Sequence, residues 1–137
     1  MAFVVDASFA AAWFLPDEQN EAVDNVMAEL AQNPGLAPSL FWFETRHLFL
    51  VAERRGRLRT GEASLSMAQL RLFPISDAGT GVDRLIFALA SRYGVSGYDA
   101  SYLSLALAER LPLATLDKRL AEAARAEKAA LIGPLAP

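Results

Sequence analysis

Short apolar runs that end on an aspartate constrain this chain more than any other feature. The run from Ala2 to Val5 stops at Asp6, and Leu113-Ala114-Thr115-Leu116 stops at Asp117. A run without polar alternation suits a strand buried on both faces, and such strands belong to parallel sheets covered by helices. Between the runs the pattern turns helical. From about Asp17 to Gln32, the residues Ala22, Val23, Val26, Met27 and Leu30 recur at the spacing of one helix face. Asn33-Pro34-Gly35 then stops that helix.

The rest of the chain reads in the same alternation. Ala7 to Leu15 is a helix ended near Pro16, and Leu36-Ala37 is a very short strand. Ser39 is placed to cap a long helix ending near Gly56, and Thr60 to cap another reaching about Leu72. Phe73 to Ser76 reads as a strand and about Gly81 to Arg92 as a helix, followed by a loop from Tyr93 to Tyr98 holding Gly94 and Gly97. A helix from Asp99 reaches about Arg110, another runs from Lys118 to about Lys128, and a strand from Ala129 to Ile132 closes the order. The expected fold is one α/β domain over residues 1–137, with a short-stranded parallel sheet between two layers of helices. Sites in such sheets lie beyond the carboxyl ends of the strands, near a topological switch point.

Composition narrows the chemistry. The absence of cysteine excludes a disulfide framework, a thiolate zinc site and a catalytic thiol, and it suits a reducing cytoplasm. A single histidine excludes any site that needs two. No basic segment precedes Phe3 and no apolar stretch is long enough for a bilayer, so neither a signal peptide nor a membrane span is expected. Neither a Gly-rich phosphate loop nor a Gly-x-Ser-x-Gly elbow is present. The net charge of −3 gives the whole molecule no pull toward nucleic acid, but charge is uneven. Residues Asp17 to Glu29 hold five acids and no base, whereas Arg46 to Arg59 hold five arginines against Glu53 alone. The Arg54, Arg55, Arg57 and Arg59 group is a candidate phosphate contact, although an arginine-rich helix end also complements the macrodipole.

Four acids stand where acids are costly. Asp6 and Asp117 follow strands, where an aspartate also serves as a helix N-cap. Glu44 lies inside a helix and shares its spacing with Leu40, Phe41, Leu48 and Val51, which reads as the apolar stripe. A carboxylate facing a core costs several kcal/mol unless a cation or donors compensate, and a buried pair with arginine is the competing explanation. Asp99 begins a helix whose core-facing positions are Tyr102, Leu103, Ala106 and Leu107. Four carboxylates meeting at one sheet edge repel, and a divalent cation resolves the repulsion. All-oxygen donors favour Mg²⁺ or Mn²⁺, ions that activate water and neutralise charge on phosphoryl oxygens.

These residues also carry a family likeness. Val4-Val5-Asp6-Ala7-Ser8, the stretch from Pro38 through Glu44 to Leu48, Arg54-Arg55-Gly56-Arg57, Tyr98-Asp99-Ala100-Ser101-Tyr102-Leu103 and Thr115-Leu116-Asp117-Lys118 resemble, in order and spacing, the PIN-domain ribonucleases. The likeness is specifically to toxins of VapBC-type toxin–antitoxin pairs and spans almost the whole chain. It implies an endoribonuclease that uses Mg²⁺ or Mn²⁺, with Asp6, Glu44, Asp99 and Asp117 as the catalytic and metal-binding acids. It also implies supporting roles for Ser8 and Thr115, a homodimer, RNA as substrate and a cognate antitoxin as inhibitor. One position departs from the pattern: three residues after Glu44 the family often has Asn, and this chain has His47.

Two other readings compete. A phospho-acceptor receiver domain has similar length and an acidic Mg²⁺ pocket, but it needs a lysine ending a late strand, and neither Lys118 nor Lys128 ends a predicted one. A catalytically silent interaction protein of the same fold would not need all four acids. The aromatics Trp13, Phe14, Phe41, Trp42, Phe43 and Phe49 read as core or oligomer interface rather than base-stacking platforms. Trp13, Phe14, Trp42 and Phe43 fall near predicted helix surfaces, where some should remain exposed for a partner.

Overall fold

A computed structural model describes residues 1–137. Five strands build one sheet in the order β3-β2-β1-β4-β5, and every neighbouring pair is parallel. β1 is Phe3–Val5, β2 Gly35–Ala37, β3 Ile75–Asp77, β4 Leu113–Ala114 and β5 Leu131–Ile132. The helices are α1 (Ala7–Ala12), α2 (Glu21–Glu29), α3 (Leu40–Arg54), α4 (Glu62–Leu70), α5 (Asp83–Tyr93), α6 (Gly97–Glu109) and α7 (Lys118–Ala126). α1 packs on α3 and α3 on α4, while α6 packs on α5 and α7. Right-handed crossovers put the first group on one face of the sheet and the second on the other, which gives three layers.

The central strands are the most apolar ones. All three β1 residues and both β4 residues are buried. Their register, Val4 beside Leu113 and Val5 beside Ala114, brings the two carboxyl ends level. The chain runs outward from β1 through β2 to β3, then returns to the other side of β1 as β4. The switch point therefore lies between β1 and β4, where Asp6 and Asp117 emerge.

Helix ends differ from expectation where another group caps better. The helix expected from Asp17 starts at Glu21, because Asn20 accepts from the Ala22 and Val23 amides while Pro16–Glu18 forms a 3₁₀ turn. Ser39 does not cap α3: its backbone is already helical, and its hydroxyl donates to Asp77 at 2.7 Å. Thr60 does not cap α4. Gly61 holds that position at φ +89°, and Glu53 Oε1 accepts from the Gly61 and Ala63 amides at 2.9 and 3.0 Å. α6 begins two residues before Asp99, because Ser96 accepts from the Asp99 amide at 3.0 Å.

The aromatics divide between core and surface. Trp13 belongs to the core, donates its ring N–H to the Val23 carbonyl at 3.0 Å and meets Phe9 edge-on. Phe14 packs against Phe49 and Phe73, and Trp42 against Phe41. Of the four aromatics expected at helix surfaces only Phe43 is exposed, at 64%. Trp13 is buried, and Phe14 and Trp42 are half-buried, the latter beneath the Arg71 guanidinium at 5.2 Å.

One turn depends on the lack of a side chain. Gly133 has φ +95°, and a Cβ there would lie 2.5 Å from Phe9 Cε2, a ring held in the core. Gly133→Ala is expected to cost roughly 2–4 kcal/mol, from the left-handed backbone and overpacking together. The denaturant midpoint of the purified variant checks it.

Candidate active site

Asp6 leaves β1 directly into α1 and is 4% exposed. Its Oδ1 accepts from the Phe9 amide at 2.9 Å and the Ser8 hydroxyl at 2.7 Å, and its Oδ2 accepts from the Thr115 hydroxyl. Burial pushes its carboxyl up to about 7, against the three hydrogen bonds that lower it, and the Asp99 charge pushes the same way. Two hydroxyls stitch the strand ends together. Thr115 Oγ1 also accepts from the Asp117 amide at 3.0 Å, and Ser8 Oγ from the Leu116 amide at 3.3 Å. Ser8 and Thr115 thus hold the Asp6 carboxylate by hydrogen bonds from two sides.

Asp117 caps α7, its Oδ1 accepting from the Arg119 and Leu120 amides at 2.9 and 3.1 Å. Its capping duty is real, and one oxygen is left for other partners. Asp99 is different. Ser96 does the capping, so the half-buried Asp99 carboxylate has no such duty. Burial raises its pKa first and the Asp117 charge next, while a hydrogen bond with Ser96 and then the Arg119 charge offset part of this. Arg119 itself is held by a 2.7 Å hydrogen bond to the Gly94 carbonyl.

Glu44 sits at the border of the α3 core face rather than on it. The buried face runs through Phe41, Thr45, Phe49 and Ala52, whereas Leu48 is exposed and Leu40 and Val51 are half-buried. No arginine pairs with Glu44. Its Oε1 instead accepts from the Tyr102 hydroxyl at 2.6 Å. Burial raises the Glu44 pKa, the tyrosine bond lowers it, and the Asp99 charge raises it again.

Tyr102 is the residue that sequence reasoning misses. It is 2% exposed on α6, one turn beyond Asp99, and its phenol feels the charges of Glu44 and Asp6. Burial and the bond to Glu44 raise its pKa, so it stays a donor. A tyrosine on a core stripe needs a partner for its hydroxyl, and that is the signal available in the sequence. Tyr102→Phe is expected to leave Glu44 without its donor, cost about 1–2 kcal/mol and slow turnover roughly tenfold. Melting curves and cleavage rates of the one variant check both parts.

The charges of Asp6, Glu44 and Asp117 all couple to Asp99, which makes Asp99 the centre of the set. As they stand, no three acidic or histidine side chains close around a single point as a finished metal cage. The donor set nevertheless suits a hard divalent ion: it is all oxygen, partly dry and strained by like charge. The arginine group lies elsewhere. Arg54 ends α3 about 15 Å along the helix from Glu44. Arg57 is engaged by Asp17 at 2.8 Å and by Glu18 at 2.8 Å. His47 is exposed one turn from Glu44. Neither lysine ends a strand, since Lys118 opens α7 and Lys128 follows it, so the receiver arrangement is missing its cation.

A sequence model of the PIN domain matches residues 3–126. Ribonuclease VapC3 of Pyrobaculum aerophilum is 35% identical over 125 residues, covering 89% of this chain and 94% of that protein. The chain belongs to the PIN-domain family, and within it to the VapC type. The crystal structure of PAE2754 from Pyrobaculum aerophilum shares the fold at TM-score 0.68 and 22% identity, over 90% of this chain and 79% of that one. A toxin–antitoxin complex from Klebsiella pneumoniae shares it at TM-score 0.57 and 17% identity, over 84% and 86% of the two chains.

Proposed function

We propose that this protein is a divalent-metal-dependent endoribonuclease, the toxin of a VapBC-type pair, with Asp6, Glu44, Asp99 and Asp117 as its catalytic centre. One observation carries the reading. Asp99 is a half-buried carboxylate free of capping duty, and its charge acts on both Asp6 and Glu44 while Asp117 acts on it. Clustered carboxylates either hold protons or share a cation, and a shared divalent cation lets all four ionise at neutral pH. The relative with most of its length in common is a ribonuclease, which supports the same activity in this chain.

Mg²⁺ or Mn²⁺ held by these acids would supply an activated water and neutralise charge on the phosphodiester oxygens. The chain's own residues do the positioning. Ser8 and Thr115 fix Asp6, and the α7 amides fix Asp117. Tyr102 occupies Glu44 Oε1, which leaves Oε2 to turn toward the cation or accept the proton of the attacking water. Arg54, Arg55 and Arg59 stand far enough away to contact only distant phosphates of a long RNA.

The toxin–antitoxin complex among the structural neighbours supports an antitoxin as partner, and a homodimer, RNA as substrate and a cytoplasmic place complete the proposal. No helix is long and apolar enough to cross a membrane. The test is incubation of the purified protein with total RNA. Cleavage with Mg²⁺ or Mn²⁺ and none with EDTA is the expected result, and metal-independent cleavage or intact RNA would contradict it.

A further inference from the structure

A groove beside the carboxylates enters the mechanism above only through Glu44. Leu40, Phe43, Glu44, His47, Leu48 and Tyr98 line a cavity of about 450 Å³, within the ~300–1,000 Å³ of small-ligand clefts. Phe43 and Tyr98 are each 64% exposed and come from different helices, α3 and the first turn of α6. The Arg46 guanidinium lies over the Phe43 ring, 5.4 Å from its centroid. One of the four acids, Glu44, forms part of its lining.

We infer that this groove is a nucleobase subsite: a base flanking the scissile phosphate stacks on Phe43 and Tyr98. The inference rests on the ribonuclease reading and extends it to the residues that grip the substrate. Three observations favour a base over a protein segment. Glu44 belongs to both the groove and the acidic cluster, so a nucleotide whose phosphate reaches the acids carries its own base into the groove. Tyr98 adjoins Asp99 in the chain, which fixes the second ring at the same place. Arg46 lines the neighbouring cavity, and its guanidinium over the Phe43 ring sets a cation beside the groove, complementary to the RNA backbone. Exposed aromatic rings have an apolar face to offer every base, so the grip tolerates sequence, and His47 on the same wall presents ring nitrogens to a base edge. Phe43 is thus a stacking platform and not the core or interface residue that its place in the sequence suggests.

The experiment uses a single-stranded RNA oligonucleotide spanning a mapped cleavage position, together with two copies abasic at one or the other flanking nucleotide. Phe43→Ala and Tyr98→Ala remove exposed rings and leave the core closed. Wild type is expected to lose about tenfold in kcat/KM on one of the abasic oligonucleotides. Phe43→Ala should lose about as much on the intact oligonucleotide and nothing further on that abasic one, because the lost contact is the same. In EDTA, 2-aminopurine at the same position should be quenched by wild type and not by Phe43→Ala. If both variants cleave and quench like wild type while Asp99→Asn is inactive, the subsite is overturned and the ribonuclease reading stands. If Asp99→Asn is fully active, the reading beneath the inference fails instead. Variants that release a protein partner yet handle RNA normally would make the groove a protein-docking site and overturn the inference.

Discussion

Asp99→Asn is expected to reduce metal-dependent RNA cleavage by roughly a hundredfold to a thousandfold while the fold stays intact. Asparagine keeps the shape and removes the charge that couples to the other three acids. The helix cap is kept, because Ser96 accepts from the residue 99 amide, and asparagine can still bond the Ser96 hydroxyl. The neighbouring variants separate chemistry from structure. Asp117→Asn should also be inactive and still cap α7, since the two residues cap about equally well. Asp6→Asn should be inactive and less stable, because an amide nitrogen must then face a hydroxyl or amide that now donates to a carboxylate. Time courses on total RNA, read beside melting curves, check all three. Near-normal cleavage by Asp99→Asn would remove the centre of the proposed site.

The metal-free protein is expected to become more stable as the pH falls from about 8 to about 5.5, the reverse of ordinary acid destabilisation. Asp6 has a folded-state pKa of about 7 against an ordinary value near 3.8, and burial is the main cause. Between those values the folded form binds a proton that the unfolded form has released. Stability from this group is therefore full below about pH 4 and lost as the pH rises through about 7. Asp6 alone accounts for about 4 kcal/mol between about pH 4 and 7, and for about 2 kcal/mol between about pH 8 and 5.5. Glu44 and Asp99 are raised as well, so they add in the same direction. A bound divalent cation favours the ionised carboxylates, so saturating Mg²⁺ should flatten the dependence and raise the melting temperature at neutral pH. Asp99→Asn should melt higher than wild type in EDTA and gain less from Mg²⁺. Thermal melts across that pH range, with EDTA and with Mg²⁺, measure the slope. A stability that falls with acidity in EDTA would contradict the account of Asp6.

Much of this arrangement is legible in the sequence, for identifiable reasons. β1 and β4 announce themselves because both faces of each are buried, which leaves an apolar run with no alternation. Asp6 and Asp117 are legible as site candidates because strand ends are where such sheets place their ligands. Helix starts are less legible, because capping is decided by which acceptor reaches the amides. Glu53 reaches across from α3 to cap α4, a contact between residues eight and ten positions apart that no local motif displays. Glu44 is legible as an unusual acid, but its position one step off the buried stripe depends on how α3 rolls against the sheet. Tyr102 is hidden because a tyrosine among Leu103, Ala106 and Leu107 looks like packing until Glu44 is brought to its hydroxyl from another helix. Trp13 and Phe14 read from sequence as either core or interface, and only the tertiary fold decides, with Phe9, Phe49 and Phe73 closing around them.

The central claim is that Asp6, Glu44, Asp99 and Asp117 share one divalent cation site, and it can be tested without RNA. Free Mn²⁺ gives an electron paramagnetic resonance signal that disappears when the ion is bound, so titrating the purified protein with Mn²⁺ measures the site directly. Wild type should take up Mn²⁺ in competition with Mg²⁺, and Asp6→Asn, Asp99→Asn and Asp117→Asn should each weaken uptake at least about tenfold. Wild-type protein that leaves the Mn²⁺ signal unchanged, or an Asp99→Asn variant that binds as tightly as wild type, would contradict the shared site.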